Sequence, residues 1–80
     1  MPTLLVVDDV ATDRLRIAGL AARWMNSTIL QAADGATALS MIDLHRPDIV
    51  LTDLHMPEMD GLQLVEEIRD QHPGIPVILM

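Results

Sequence analysis

Short apolar runs alternate along this chain with stretches in which apolar residues recur at helical spacing. Leu4-Leu5-Val6-Val7 is a continuous β-favouring run that stops at Asp8-Asp9, the pattern of a strand buried on both faces and followed by a loop. From about Thr12, the residues Ile17, Leu20, Ala21 and Trp24 fall on one stripe, which predicts a first helix with Arg14, Arg16 and Arg23 left largely in solvent. Thr28-Ile29-Leu30-Gln31-Ala32 is a second, weaker strand. Asp34-Gly35 punctuates it, and Ala38, Leu39, Met41 and Ile42 then mark a short second helix. Pro47 cannot continue that helix, and Asp48-Ile49-Val50-Leu51-Thr52 is a third strand ending at Asp53. The segment 54–61, with Pro57 and Gly61 inside it, reads as a loop. Leu64, Val65 and Ile68 supply a third helical face that ends near His72-Pro73-Gly74, and Ile75-Pro76-Val77-Ile78-Leu79-Met80 begins a fourth strand.

The resulting order, β-α-β-α-β-α-β, predicts an α/β fold: a parallel sheet wound on both faces by right-handed crossover helices. No internal repeat, linker or low-complexity segment interrupts it. Eighty residues allow one domain at most, and a chain this short buries only a little over ~60% of its unfolded surface. With no cysteine, disulfide scaffolds, thiolate metal sites and cysteine nucleophiles are excluded.

Charge narrows the partners. Five arginines, no lysine and twelve carboxylates give a net charge of −7, which argues against direct contact with nucleic acid or an anionic membrane, since both need clustered positive charge. Trp24 is the lone aromatic, so there is no base-stacking platform. No apolar run approaches the ~18 residues of a membrane span, and Met1-Pro2-Thr3 lacks the positive head of a signal peptide. The expectation is a soluble cytoplasmic domain. Its apolar content of 50% is high for one so small, which implies a sheet buried on both faces or apolar surface that has lost its cover.

The carboxylates carry the chemistry. Asp8-Asp9 end the first strand and Asp53 ends the third. In a doubly wound sheet of order 2-1-3-4 those strands are neighbours, and the crevice outside their carboxyl ends is where ligands bind. Like charges so placed repel, and each raises its neighbours' pKa unless a cation sits between them. An all-oxygen set favours Mg²⁺, and a carboxylate beside Mg²⁺ can act as the nucleophile in phosphoryl transfer. Each piece also has a plainer reading. An Asp pair after a strand can serve as a helix N-cap region, and Asp53 before a Pro-containing loop can be a turn residue.

Leu5-Val6-Val7-Asp8-Asp9, the following Arg14, Asp34-Gly35, and above all the stretch Pro47-Asp48-Ile49-Val50-Leu51-Thr52-Asp53-Leu54-His55-Met56-Pro57-Glu58-Met59-Asp60-Gly61 resemble the receiver domain of two-component response regulators, over all 80 residues. The resemblance implies a flavodoxin-like sheet, with Asp53 as the phosphoacceptor served by a sensor histidine kinase or phosphotransfer protein. It further implies Mg²⁺ bound directly by Asp9 and Asp53, by Asp8 largely through water, and by the main-chain carbonyl of His55. Pro57 and Gly61 then shape the loop presenting that carbonyl.

Against that family, residues 1–80 correspond to the N-terminal portion of a single receiver. The family's hydroxyl residue at the end of strand four would fall just past Met80, and its strand-five lysine has no counterpart. The expectations are that the chain on its own is defective in switching, and that it self-associates through an exposed strand four. The alternative function is a self-associating half-domain that keeps metal binding without signalling. An aspartyl-phosphate hydrolase is disfavoured because Val10 and His55 stand where such enzymes carry a second Asp, and a flavin site lacks its phosphate loop and ring stackers. Weaker candidates have plain readings. His55 and His72 are expected to face solvent rather than a metal. Met41, Met56, Met59 and Met80 are expected to fill core and loop gaps, Trp24 to rim the core, and Gly35 to serve a turn.

Overall fold

The computed structural model describes residues 2–80, apart from the side chains of Trp24 and Met25, so the expectation for Trp24 lies outside the described residues. Four strands and three helices alternate: β1 (Thr3–Val7), α1 (Ala11–Met25), β2 (Thr28–Ala32), α2 (Gly35–His45), β3 (Ile49–Thr52), α3 (Gly61–Gln71) and β4 (Val77–Leu79). The strands form one parallel sheet in the order β2-β1-β3-β4, as the alternation predicts. Strand four is shorter than its apolar run: Pro76 has no N–H to give the ladder, though its carbonyl oxygen accepts from the Val50 N–H at 3.0 Å.

The continuous apolar run of β1 is explained by a core on each face. Leu5 and Val7 pack with Ala38, Ile42, Val50, Met56, Leu64 and Ile68 on the side of α2 and α3. Leu4 and Val6 pack with Ala18 and Ala21 on the side of α1. Because side chains alternate along a strand, one four-residue run feeds both cores. Met56 fills a gap in the first core, as expected, whereas Met80 is exposed.

Helix α1 turns inward Ile17 and Ala21 of the stripe its sequence suggests, but with Ala18 in place of Leu20. Ala18 and Ala21 meet the sheet with Ile17 partly buried beside them, while Leu20 is 50% exposed. Arg14 stands in line with Ala18 and Ala21, at i, i+4 and i+7, and is half-buried, although Arg16 and Arg23 are exposed as expected. Alanines let the helix axis approach the sheet, and Leu20 is rotated out of the seam by the 3.6-residue period.

The other two helices begin at capped ends. Asp34 Oδ1 accepts the Thr37 N–H at 2.7 Å, capping α2. At α3, Asp60 Oδ1 accepts the Gln63 N–H at 2.9 Å while Gln63 Oε1 accepts the Asp60 N–H at 3.0 Å, a reciprocal capping box. Asp60 thereby ends the β3–α3 loop at a defined point.

Candidate functional site

The ladder places the acidic residues. Val7 is in register with both Ala32 of β2 and Thr52 of β3, so the residues that follow, Asp8 and Asp53, leave the sheet side by side. Backbone bonds extend the pairing one step beyond the strands: the Asp8 N–H donates to the Ala32 carbonyl (3.1 Å), and the Asp53 N–H donates to the Val7 carbonyl (2.9 Å). Carboxylate oxygens of Asp8, Asp9 and Asp53 lie within 4.8 Å of one another.

The three differ in solvation. Asp8 is buried, Asp53 half-buried and Asp9 exposed. Burial pushes the Asp8 carboxyl above its ordinary value; the Val10 N–H works against that shift, while the charges of Asp53, Asp13 and Asp9 add to it. A buried carboxylate crowded by others of its sign is a site that a cation relieves. The all-oxygen donor set fits a hard divalent ion such as Mg²⁺.

The plainer readings are realised only in part. The N-cap of α1 is Val10, which makes no side-chain cap bond, and Asp8 Oδ1 accepts the Val10 N–H at 2.9 Å. Asp8 therefore helps the helix start while facing the acidic cluster. Asp53 Oδ1 accepts a long bond from the His55 N–H at 3.4 Å, a turn contact that leaves the second carboxylate oxygen free of it. The His55 side chain is exposed, as expected.

The backbone around Asp53 is held closely. The buried Thr52 hydroxyl donates to the Asp53 carbonyl oxygen at 3.1 Å, and the Gly61 N–H donates to the Leu54 carbonyl at 2.9 Å. A Cβ on Gly61 would run into the Asp53 carbonyl oxygen and lie 2.9 Å from Leu54 Cα. Glycine is required here by close approach. At the far side of the loop, Gly35 packs against Met59, whose Sδ would sit 2.5 Å from an added Cβ. Its role is thus a contact with the β3–α3 loop as well as the start of α2. Glu58 in that loop adopts a left-handed backbone, φ 67°.

Two features escape the sequence reading. Arg14 Nη1 donates to the Asp8 carbonyl oxygen (2.8 Å) and its Nε to Gln31 Oε1 (3.2 Å), where a solvated side chain was expected. Its position at i+4 from Val10, in line with two small alanines, is the signal that could have found it. His72 is buried rather than solvent-facing, with Nε2 at 2.6 Å from Asp43 Oδ1. No spacing rule links residues 29 apart. Among the described residues, no helix is long and apolar enough to cross a membrane.

Comparison with known proteins agrees with this geometry. Residues 4–80 match the family described as the response regulator receiver domain. The chain is 36% identical over 78 residues to the probable transcriptional regulatory protein TcrX of Mycobacterium tuberculosis, covering 98% of this chain and 33% of that protein. It is 41% identical over 78 residues to protein-glutamate methylesterase/protein-glutamine glutaminase 1 of Carboxydothermus hydrogenoformans, covering 96% of this chain and 23% of that one. Among solved structures, a response regulator receiver domain protein from Clostridium thermocellum superposes with a TM-score of 0.91 at 27% identity, over 99% of this chain and 64% of that one. The chain thus spans a third or less of these two curated relatives and just under two thirds of the solved receiver. With its sheet order, its acidic strand ends and this match along nearly its whole length, the chain belongs to the receiver domain family of two-component response regulators.

Proposed function

We propose that this chain is the N-terminal, phosphoryl-accepting portion of a single cytoplasmic receiver, in which Asp53 takes a phosphoryl group from the phosphohistidine of a sensor histidine kinase or phosphotransfer protein. The observation that carries the reading is the convergence of Asp8, Asp9 and Asp53 at the ends of two adjacent strands. Of these, Asp53 combines partial exposure with a backbone held at both ends, bonded through its N–H to Val7 and through its carbonyl oxygen to Thr52. A fixed nucleophile loses little freedom on reaching the transition state. In the transfer, an Asp53 carboxylate oxygen bonds to phosphorus as the P–N bond breaks, and the donor imidazole leaves with that bonding pair.

Asp9 and Asp53 would hold Mg²⁺ directly, Asp8 largely through water, and the His55 main-chain carbonyl would complete the protein's share. Bound there, the ion supplies positive charge against the phosphoryl oxygens. The chain acts as an acceptor and not as an enzyme, and the esterase named in one relative is not carried over to it. The test is intact mass after incubation with Mg²⁺ and a small phosphodonor such as acetyl phosphate. A phosphoryl adduct that is absent from Asp53→Asn supports the reading; no adduct on the parent, or an equal adduct on the variant, overturns it.

A second reading concerns the 80-residue chain by itself, as a self-associating half-domain that binds metal without switching. It is favoured by β4, which among the described residues pairs with β3 alone, and by the exposure of Ile78 (47%), Leu79 (40%) and the following Met80 (43%). Such an edge is a template for another strand. Light scattering distinguishes the outcomes: a concentration-dependent dimer that Ile78→Lys disperses supports pairing through β4, and a monomer at every concentration excludes it.

A further inference from the structure

Of the five arginines, Arg14 is half-buried while Arg16, Arg23, Arg46 and Arg69 are exposed. Its two hydrogen bonds run to two different strands. Nη1 reaches the carbonyl oxygen of Asp8 at the end of β1, and Nε reaches Gln31 Oε1 on β2. The Asp8 peptide is where the β1 ladder stops: its N–H still pairs with Ala32, but its carbonyl has turned out of the sheet. A carbonyl in that position needs another donor, and the guanidinium supplies one from the first turns of α1.

We infer that Arg14 is a positioning residue for the acidic cluster, fixing the Asp8–Asp9 peptide so that the Asp9 carboxylate is directed towards Asp8 and Asp53. The inference rests on the Mg²⁺-dependent reading above. The clamped carbonyl belongs to the peptide bond that carries Asp9, so rotation of that plane moves the Asp9 side chain relative to Asp53, which is anchored separately through Thr52 and Val7. Gln31 holds the guanidinium from the far side, so the clamp spans α1, β1 and β2. Two effects of Arg14 on a bound cation have opposite signs. Its charge repels the ion, whereas its geometry organises the ligands. Removing it therefore tightens Mg²⁺ binding if charge dominates and weakens it if positioning dominates.

The experiment is a Mg²⁺ titration of the 80-residue chain followed by the amide NMR shifts of Asp9 and Asp53, on the parent, Arg14→Met, Arg14→Lys and Gln31→Ala. Arg14→Met keeps the aliphatic stem but donates nothing. It is expected to weaken Mg²⁺ binding by about tenfold, the low end for groups that orient metal ligands. Arg14→Lys, with one donor in reach of the Asp8 carbonyl, is expected to recover much of that loss, and Gln31→Ala to fall between. Unchanged or tighter binding in Arg14→Met overturns the inference, as does a fall in thermal midpoint with Mg²⁺ affinity intact. Should Arg14→Met not fold, Gln31→Ala decides: it leaves α1 untouched, and unchanged binding there overturns the inference. A parent chain that binds no Mg²⁺ removes both this inference and the reading beneath it, while equal binding by parent and variants removes this one alone.

Discussion

The imidazole of His72, which caps the end of α3, meets Asp43 of α2 through a 2.6 Å contact between Nε2 and Oδ1. Beside it, Ile42 and Ile68 bring the same two helices together in the core. The pair is asymmetric: His72 is buried and Asp43 exposed. Water can replace the imidazole at Asp43 more readily than it can replace the carboxylate at His72. A double-mutant cycle with Asp43→Asn and His72→Gln should give a coupling of about 1 kcal/mol in urea unfolding. Additive effects of the two substitutions would deny the pair any role in joining α2 to α3.

Asp8 makes stability depend on pH in a defined direction. Its carboxyl is raised above 3.8 first by burial and then, against the bond from Val10, by the charges of Asp53, Asp13 and Asp9. A carboxyl with a raised folded-state pKa costs stability when ionised, and the cost disappears as pH falls through that raised value towards the unfolded one. Asp8→Asn in metal-free buffer should therefore be more stable than the parent at pH 7, with the gain closing near pH 4. Equal urea midpoints at both pH values would contradict this.

Mg²⁺ should reverse that ranking. An ion that binds only the folded chain stabilises it by about 2.7 kcal/mol at a hundred times its dissociation constant. The parent is expected to gain a stabilisation of this order and to lose it on chelation with EDTA. Asp9→Asn and Asp8→Asn should show less of it. Thermal unfolding with and without Mg²⁺ provides the comparison.

Two glycines give opposite expectations for the same substitution. Gly61→Ala forces a methyl group against the Asp53 carbonyl and the Leu54 backbone, and should cost about 1–3 kcal/mol, the range for overpacking. Since the strain falls on Asp53, Mg²⁺ affinity should drop with it. Gly19, inside α1, has nothing among the described residues within 4 Å of an added Cβ, and Gly19→Ala should stabilise by roughly 0.5–1 kcal/mol. Urea midpoints that move in the same direction for both would refute the steric account.

The sheet order and the meeting of the three carboxylates were legible because both follow from where apolar runs stop. Leu4–Val7 and Ile49–Thr52 each end at an aspartate, and parallel pairing in register aligns those ends. The inward stripe of α1 was legible at Ile17 and Ala21 but not at Ala18, because Leu20 is more apolar than Ala18 while the close packing of helix on sheet favours the smaller residue. Arg14 looked like a solvated charge because sequence shows its residue type and not the carbonyl that β1 leaves unpaired beside it. The burial of His72 depends on a partner 29 residues away. Contacts of that kind are set by the packing of α2 against α3, which no local pattern encodes.

The central position of β1 has a bearing on how the chain assembles during synthesis. Of these four strands β1 is made first, and it is flanked by β2 on one side and β3 on the other, with β4 then adding outside β3. Each later strand joins an open edge, and none must be inserted between two already paired. The sheet can therefore grow outward in the order of translation, and Asp8 and Asp9 wait at the rim until the arrival of β3 brings Asp53 beside them.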